Sequence, residues 1–113
     1  SLIIAYSHCI NHGIDMRKGL DQQRLAVQSG IWPLFRYNPA LIDEGKNPLS
    51  IDSKDPTVPV EQYAYNETRY RMLLQNDEAH AEELMRAARE DVSKRWDLYR
   101  QMASIEYKAR NQE

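Results

Sequence analysis

The C-terminal part of the chain contains the longest periodic pattern in the sequence, and this pattern limits what the chain can fold into. Apolar residues recur there at three- and four-residue spacings, as on one face of an α-helix, and they are Ala81, Leu84, Met85, Ala88, Val92, Trp96, Tyr99, Met102 and Ala103. Asp77 is placed to cap this helix, and Glu78 makes its first turn acidic. At about 1.5 Å per residue, about 30 residues of helix are about 45 Å long. Since so small a domain is narrower than that, we expect the helix to project or to lie along a surface outside this chain.

A second helical pattern precedes this one. Its apolar residues recur at three-, four- and seven-residue spacings, and they are Val60, Tyr63, Tyr70, Leu73 and Leu74. The pattern predicts an amphipathic helix from Val60 to about Gln75. Asn76 and Asp77 then mark a break. The sequence therefore predicts two long helices in this half of the chain.

The N-terminal stretch SLIIAYSHCINHG holds the most hydrophobic run of the chain and its single cysteine. Leu2 to Ala5 is short, apolar and partly β-branched, which predicts a strand buried on both faces. Cys9 would then stand just past the carboxyl end of that strand. Ligands and cofactors bind at this edge in open α/β sheets, so the position of Cys9 points to a functional site.

A shorter helix is predicted after the cysteine. Gly13 allows a tight turn, and Asp15 is a suitable N-cap for a helix from Met16 to Ser29. Gly30 is placed to end the helix as a left-handed residue. Gly19 inside the helix costs about 1 kcal/mol relative to alanine, so we expect an irregular first turn.

The middle of the chain shows little regular patterning. Ile31 to Tyr37 is rich in strand formers, but Pro33 cannot donate a ladder hydrogen bond, which predicts an edge or interrupted strand. Four of the five prolines lie between Asn38 and Pro59, and only Leu49 to Asp52 could form a brief strand. Because loops as long as Asn38 to Pro59 are uncommon inside compact domains, we expect the segment to wrap over a surface. The rest of this short chain offers little surface for it.

Composition and charge exclude several classes of partner. Lys and Arg number 15 against 17 Asp and Glu, which gives a net charge of −2, so the chain lacks the basic face of a nucleic-acid-binding protein. No apolar run approaches the about 20 residues of a membrane span, and the N-terminal run lacks the flanks of a secretory leader. A free thiol and four Met residues are consistent with a reducing cytoplasm. Since the 113 residues begin with Ser and enter the apolar run at once, we expect a segment of something larger.

Cys9 has three interpretations from its residue type and neighbours. It can be a small buried hydrophobe, which is the usual state of a single free cysteine. It can ligate an iron–sulfur or other metal centre shared with distant residues. It can also be a nucleophile activated by His8 or His12, although His8 is badly aimed because consecutive side chains on an extended segment diverge. One cysteine does not make a complete zinc or haem-attachment motif, so no stand-alone metal site is predicted.

Arg36, the charges of the last helix and the aromatic stripe each have a structural interpretation as well as a functional one. Arg36 could hold a carboxylate or a phosphate in a bidentate grip, or lie on the outer face of an edge strand. Mixed charges along the last helix are typical of a solvated face. Helix packing explains the aromatic stripe better than base stacking does, and its members are Tyr63, Tyr70, Trp96 and Tyr99.

Three longer blocks carry a family resemblance. They are SLIIAYSHCINHG, GLDQQRLAVQSGIWPLFRYNP and GKNPLSIDSKDP. In this order and without large gaps, they resemble successive blocks near the C-terminus of the pyruvate:ferredoxin (flavodoxin) oxidoreductases. The resemblance covers about residues 1 to 103, and the run AVQSGIWPLFRYNP is its most specific part.

The resemblance implies a function for the complete enzyme. Enzymes of this family oxidatively decarboxylate pyruvate with thiamin diphosphate, magnesium and coenzyme A, and they pass electrons through 4Fe-4S clusters to ferredoxin or flavodoxin. Cys9 matches the fourth cysteine ligand of the cluster nearest the thiamin, and the remaining ligands would lie outside this chain. The resemblance assigns no catalytic or organic-cofactor residue here. It implies that this segment contacts the rest of the oxidoreductase chain and that the complete enzyme is a cytoplasmic homodimer.

The resemblance also implies an α/β fold class. The chain would be the C-terminal fragment of a thiamin diphosphate-binding fold that starts in a buried strand and ends in two long helices. Residues 1–59 would end the α/β domain, and residues 60–113 would form its C-terminal helical pair. Alone, the chain should be inactive, marginally stable and rich in exposed apolar surface. The rival interpretation is a non-catalytic helical interaction module in which residues 60–103 form a hairpin for a partner.

Overall fold

The computed structural model describes residues 1–109, which form an elongated molecule of 65 × 29 × 20 Å. The chain is mixed helix and strand, and its order is α1 (Gly19–Gln28), β1 (Phe35–Tyr37), β2 (Leu49–Ile51), α2 (Val60–Ala64), α3 (Thr68–Asn76) and α4 (Glu78–Ala103). Short 3-10 turns occupy Ile10–His12, Met16–Lys18 and Pro39–Ile42. In the described part, no helix combines the length and the apolar character that a membrane span requires.

The long C-terminal helix is confirmed. α4 has 26 residues, and the Asp77 side chain caps it by accepting a hydrogen bond of 3.1 Å from the backbone N–H of His80. Four of the predicted stripe residues are buried, namely Ala81, Met85, Val92 and Trp96. Leu84 and Met102 are instead exposed, so the buried stripe is narrower than predicted. α2, α3 and β2 pack against α4, which shows that part of the surface it lies along belongs to this chain.

The single helix predicted from Val60 to about Gln75 is wrong. The structure divides this stretch into α2 and α3, and the break falls at Glu67, whose backbone is extended with φ −105° and ψ 125°. The Glu67 side chain is turned inward and is 2% exposed. Three helices therefore replace the two long ones, because a buried polar side chain at Glu67 outweighs the helical pattern around it.

The buried strand predicted at Leu2 to Ala5 is also wrong for this chain. These residues form no strand, and Leu2, Ile3 and Ile4 are between 69% and 88% exposed. A strand needs a neighbour to accept and donate its ladder hydrogen bonds. In the described residues, the two strands of the small sheet pair only with each other, so this segment has no neighbour to pair with.

The region around α1 agrees with the local signals. Asp15 accepts a hydrogen bond of 3.1 Å from the backbone N–H of Arg17 and so caps the 3-10 turn Met16–Lys18, which is the irregular first turn expected near Gly19. Gly30 follows the helix with a φ of +79°. A Cβ at this glycine would lie 2.7 Å from the Pro56 ring, so close packing also requires the glycine.

The interrupted edge strand and the brief second strand are confirmed. β1 and β2 pair antiparallel, with Phe35 opposite Ile51 and Tyr37 opposite Leu49. The Pro-rich segment packs at the C-terminal end of α4. The Asn47 amide donates hydrogen bonds of 2.8 and 2.9 Å to the carbonyls of Met102 and Ile105. The long loop and the long helix therefore cover one another.

The core lies where α1, α2 and α4 meet. Its buried cluster contains Ala26, Val60, Tyr63, Ala64, Met85 and Val92. Tyr6 and Trp32 pack against the cluster with ring centroids 5.7 Å apart. The N-terminal segment is therefore fixed to the core at Tyr6, shortly before Cys9.

Trp96, on the buried face of α4, gives a direct test of how this helix packs. It is 4% exposed, and its indole N–H donates to the Asp55 carboxylate. Trp96→Ala should lower the free energy of unfolding by about 3–5 kcal/mol, whereas Leu98→Ala, at a 52% exposed position of the same helix, should change it by less than about 0.5 kcal/mol. Urea denaturation followed by circular dichroism measures both, and equal losses would contradict the packing described here.

Candidate functional site

Cys9 lies on an exposed turn between Tyr6 and α1. Its thiol is free, its backbone is extended, and the 3-10 turn Ile10–His12 begins directly after it. The Cys9 carbonyl accepts a hydrogen bond of 3.1 Å from the backbone N–H of His12. Since the residue is exposed, the interpretation of Cys9 as a small buried hydrophobe is wrong for this chain.

The turn after Cys9 ends at Gly13, which is held on the start of α3. Gly13 has a φ of +71°, and a Cβ there would lie 2.6 Å from the Thr68 Cβ. The Gly13 carbonyl accepts two hydrogen bonds from Thr68, one of 3.1 Å from its backbone N–H and one of 2.8 Å from its hydroxyl. One of the unpaired N–H groups at the start of α3 is therefore satisfied by the cysteine-bearing segment.

The second attachment of the turn is a buried carboxylate. One oxygen of Glu67 lies 2.6 Å from the Nδ1 of His12, and the other accepts a hydrogen bond of 2.8 Å from the Gln22 amide. The same Gln22 nitrogen also donates to the Tyr63 carbonyl at 2.9 Å, and the Gln22 oxygen accepts from Asn66 at 3.1 Å. Burial of a carboxylate is tolerated only when it is paired in this way. We call Glu67, His12 and Gln22 the Glu67 cluster.

Tyr63 joins the segment before Cys9 to this cluster. The hydroxyl groups of Tyr6 and Tyr63 lie 2.7 Å apart. Burial raises the pKa of Tyr63 far above its ordinary value, and the Tyr6 hydroxyl and the Glu67 carboxylate act in the same direction. Both sides of Cys9 are therefore fixed to residues on or next to α2 and α3.

The structure does not pair Cys9 with a histidine base. The His8 ring lies against Gly19, where a Cβ would collide with it, and the Nδ1 of His12 faces Glu67. In residues 1–109, neither imidazole makes a hydrogen bond to the Cys9 thiol. The nucleophile interpretation therefore gains no support from geometry.

The chemistry of the available donors fits a role as one ligand among several. In the part of the chain that is described, no three His, Cys, Asp or Glu side chains come together to hold a metal ion. The free, exposed thiol of Cys9 can supply one soft thiolate ligand. A centre that uses it would need its other ligands from outside these residues.

Arg36 makes the bidentate contact considered from the sequence, and its partner lies within the chain. The guanidinium donates hydrogen bonds of 2.8 to 3.1 Å to the Asp52 carboxylate across the small sheet. These bonds lower the pKa of Asp52. Because the pair satisfies itself at the surface, Arg36 is explained as a structural residue.

Sequence reasoning missed Glu67, Gln22 and Thr68. One signal for Glu67 was present, because it lies four residues after Tyr63 and three before Tyr70 and so falls on the apolar face of the predicted helix. A carboxylate on an apolar face usually has a buried partner. The partners Gln22 and His12 are distant in sequence and carry no such signal.

Comparison with known proteins identifies what the chain is similar to. No protein-family model matches it. The chain is 49% identical over 104 residues, or 92% of its length, to a pyruvate-flavodoxin oxidoreductase of Nostoc. It is 44% identical over 103 residues to the pyruvate:ferredoxin oxidoreductase of Moorella thermoacetica and to a probable pyruvate-flavodoxin oxidoreductase of Escherichia coli.

These matches place the chain among oxidoreductase sequences. More narrowly, it is homologous to one segment of the pyruvate-flavodoxin and pyruvate:ferredoxin oxidoreductases, so the resemblance drawn from the three sequence blocks is confirmed. The chain spans 9% of the length of each of these three relatives.

The buried tyrosine predicts a fall in stability at alkaline pH. A tyrosine in the unfolded chain ionises near pH 10, whereas Tyr63 stays protonated to a higher pH in the folded chain. Its contribution to folding is therefore complete below about pH 10 and is lost as the pH rises above it, by at most about 1.4 kcal/mol per pH unit.

Tyr63→Phe should make this loss smaller between about pH 10 and 11, and part of the loss should remain because burial also raises the pKa of Tyr70. Tyr37→Phe, at an exposed position, is the control and should leave the loss unchanged. Free energies of unfolding measured across this pH range test the prediction. An identical alkaline loss in Tyr63→Phe and in the unsubstituted chain would contradict it.

Proposed function

We propose that this chain is part of an enzyme that oxidatively decarboxylates pyruvate to acetyl-CoA and CO2 and passes the electrons through 4Fe-4S clusters to ferredoxin or flavodoxin. The relatives are named for pyruvate and for flavodoxin or ferredoxin, which supports the substrate and the acceptors. One structural observation carries the assignment of a site, namely the free, exposed Cys9 thiol on a turn fixed at both sides. Alone, the chain is inactive because it spans only a small part of such an enzyme.

Cys9 is the residue through which the chain takes part in electron transfer. Its thiolate ligates one iron of a 4Fe-4S cluster, and the remaining ligands come from outside this chain. A bound cluster accepts and releases single electrons at a potential set by its ligands and their surroundings. Thiamin diphosphate and magnesium belong to the complete enzyme and are not held by this chain alone.

The chain completes a thiamin diphosphate-binding α/β domain of the larger protein. In this proposal, residues 1–59 end the α/β part and residues from 60 onward form its C-terminal helical part. Residues 110–113 of the predicted segment 60–113 lie outside the described residues. The exposed apolar residues Leu2, Ile3 and Ile4 support a contact with the rest of the oxidoreductase chain. The complete enzyme is proposed to be a cytoplasmic homodimer.

The rival interpretation as a non-catalytic interaction module is not favoured. Each of the three relatives compared above is named as an oxidoreductase. The predicted hairpin over residues 60–103 is also interrupted, because Glu67 divides the first helix into α2 and α3.

The complete enzyme with Cys9→Ser tests the proposal. We expect its iron content to fall by the amount held in one 4Fe-4S cluster. The electron paramagnetic resonance signal of that cluster should be missing from the reduced enzyme. Pyruvate-dependent reduction of ferredoxin or flavodoxin should fall by at least about 10- to 100-fold, the range for loss of a residue that merely supports a metal ligand.

Ser7→Ala is the matched control, since Ser7 is exposed on the same segment and, among residues 1–109, its hydroxyl bonds only to the neighbouring His8 carbonyl. This variant should keep wild-type iron content, signal and rate. The proposal is wrong if Cys9→Ser keeps the full cluster signal and iron content.

A further inference from the structure

We infer that Thr68 and Glu67, at the start of α3, are positioning residues for the Cys9 thiolate. This inference rests on the proposed function, in which Cys9 ligates a cluster iron. Neither residue is proposed to touch the cluster. Their role is to fix the backbone from Cys9 to Gly13 so that the thiol is presented in one place.

The cysteine turn is held by hydrogen bonds within it and by hydrogen bonds to the start of α3. Inside the turn, the N–H of His12 bonds to the Cys9 carbonyl at 3.1 Å, and the N–H of Gly13 bonds to the Ile10 carbonyl at 2.9 Å. Outside it, the Gly13 carbonyl is held by Thr68, and the His12 ring is held by Glu67. The turn is therefore closed on itself and attached to α3 at its last two residues.

The Glu67 cluster makes this attachment rigid. The Glu67 carboxylate is buried and uses both of its oxygens, one toward His12 and one toward Gln22. Gln22 belongs to α1 and also bonds to the Tyr63 carbonyl of α2. Residues of α1 and α2 thus fix the side chain that holds the cysteine turn, and this side chain belongs to the N-cap residue of α3.

The exposed thiol makes this backbone support important. Because Cys9 is exposed, packing from the described residues does little to hold its side chain. Metal ligands work when their supporting groups hold them within about 0.5 Å of the productive geometry, and loss of such a support costs about 10- to 100-fold in metal affinity or activity. Here the support must come from the backbone, and Thr68 and Glu67 provide it.

The Thr68 hydroxyl can be removed with almost no change in volume. Thr68→Val keeps the shape of the side chain but removes the hydrogen bond that the hydroxyl donates to the Gly13 carbonyl and the one it accepts from Arg71, whereas Thr68→Ser keeps the hydroxyl for both. In the complete enzyme, two measurements separate a positioning role from a general loss of stability. One is hydrogen exchange of the peptide that contains the amides of His12 and Gly13, and the other is the resonance signal and midpoint potential of the cluster.

We expect Thr68→Val to raise amide exchange in this peptide about threefold to tenfold, because the turn loses the hydrogen bond from the Thr68 hydroxyl to the Gly13 carbonyl. It should also change the cluster signal, shift its potential and speed the loss of iron to a chelator. Thr68→Ser should restore wild-type values in all of these measurements. Glu67→Gln, which has the same shape as glutamate, is the second variant and should cause the same changes. Each Glu67 oxygen has its own partner, His12 or Gln22, and the substitution replaces one of these oxygens by a nitrogen.

The inference is overturned if exchange and cluster properties stay at wild-type values in both Thr68→Val and Glu67→Gln. It is also overturned if exchange rises while the cluster signal, potential and iron retention do not change, since the two residues would then be only structural. Cys9→Ser in the same series separates this failure from failure of the proposed function. A cluster that survives Cys9→Ser overturns both, whereas its loss there beside unaffected Thr68 and Glu67 variants overturns the positioning role alone.

Discussion

The buried carboxylate of Glu67 is the interaction on which the rest of this structure depends. It interrupts the helical pattern between Val60 and Asn76, and it holds His12 on one oxygen and Gln22 on the other. Because a buried carboxylate without partners costs several kcal/mol, the break between α2 and α3 and the position of the cysteine turn are fixed together. The local fold and the candidate site thus have one physical cause.

The features that could be predicted from the sequence are those whose cause is local. Asp77 caps α4 through a residue three positions away, Gly30 takes a left-handed conformation where α1 has ended, and Pro33 limits β1 to a short strand. In each case the residue type itself restricts the backbone or supplies the hydrogen bond. Such signals require no knowledge of what packs against the segment.

The features that could not be predicted depend on residues far apart in the chain. Glu67 and Gln22 are separated by 45 positions, and Thr68 and Gly13 by 55. The N-terminal run is an element that was predicted and does not form. Its composition predicts a buried strand, but the described residues provide no strand to pair with it. The resemblance to pyruvate oxidoreductases, confirmed at 44% to 49% identity, explains this error if the pairing partner lies in the rest of the enzyme.

Iron-edge anomalous scattering from crystals of the complete enzyme tests the central proposal, that Cys9 presents a thiolate to an iron–sulfur cluster from a turn held by α3. We expect an iron peak at bonding distance from the Cys9 sulfur, with the Thr68 hydroxyl still bonded to the Gly13 carbonyl. A Cys9 sulfur that packs against protein, with every iron atom of the enzyme bound by other residues, would contradict it.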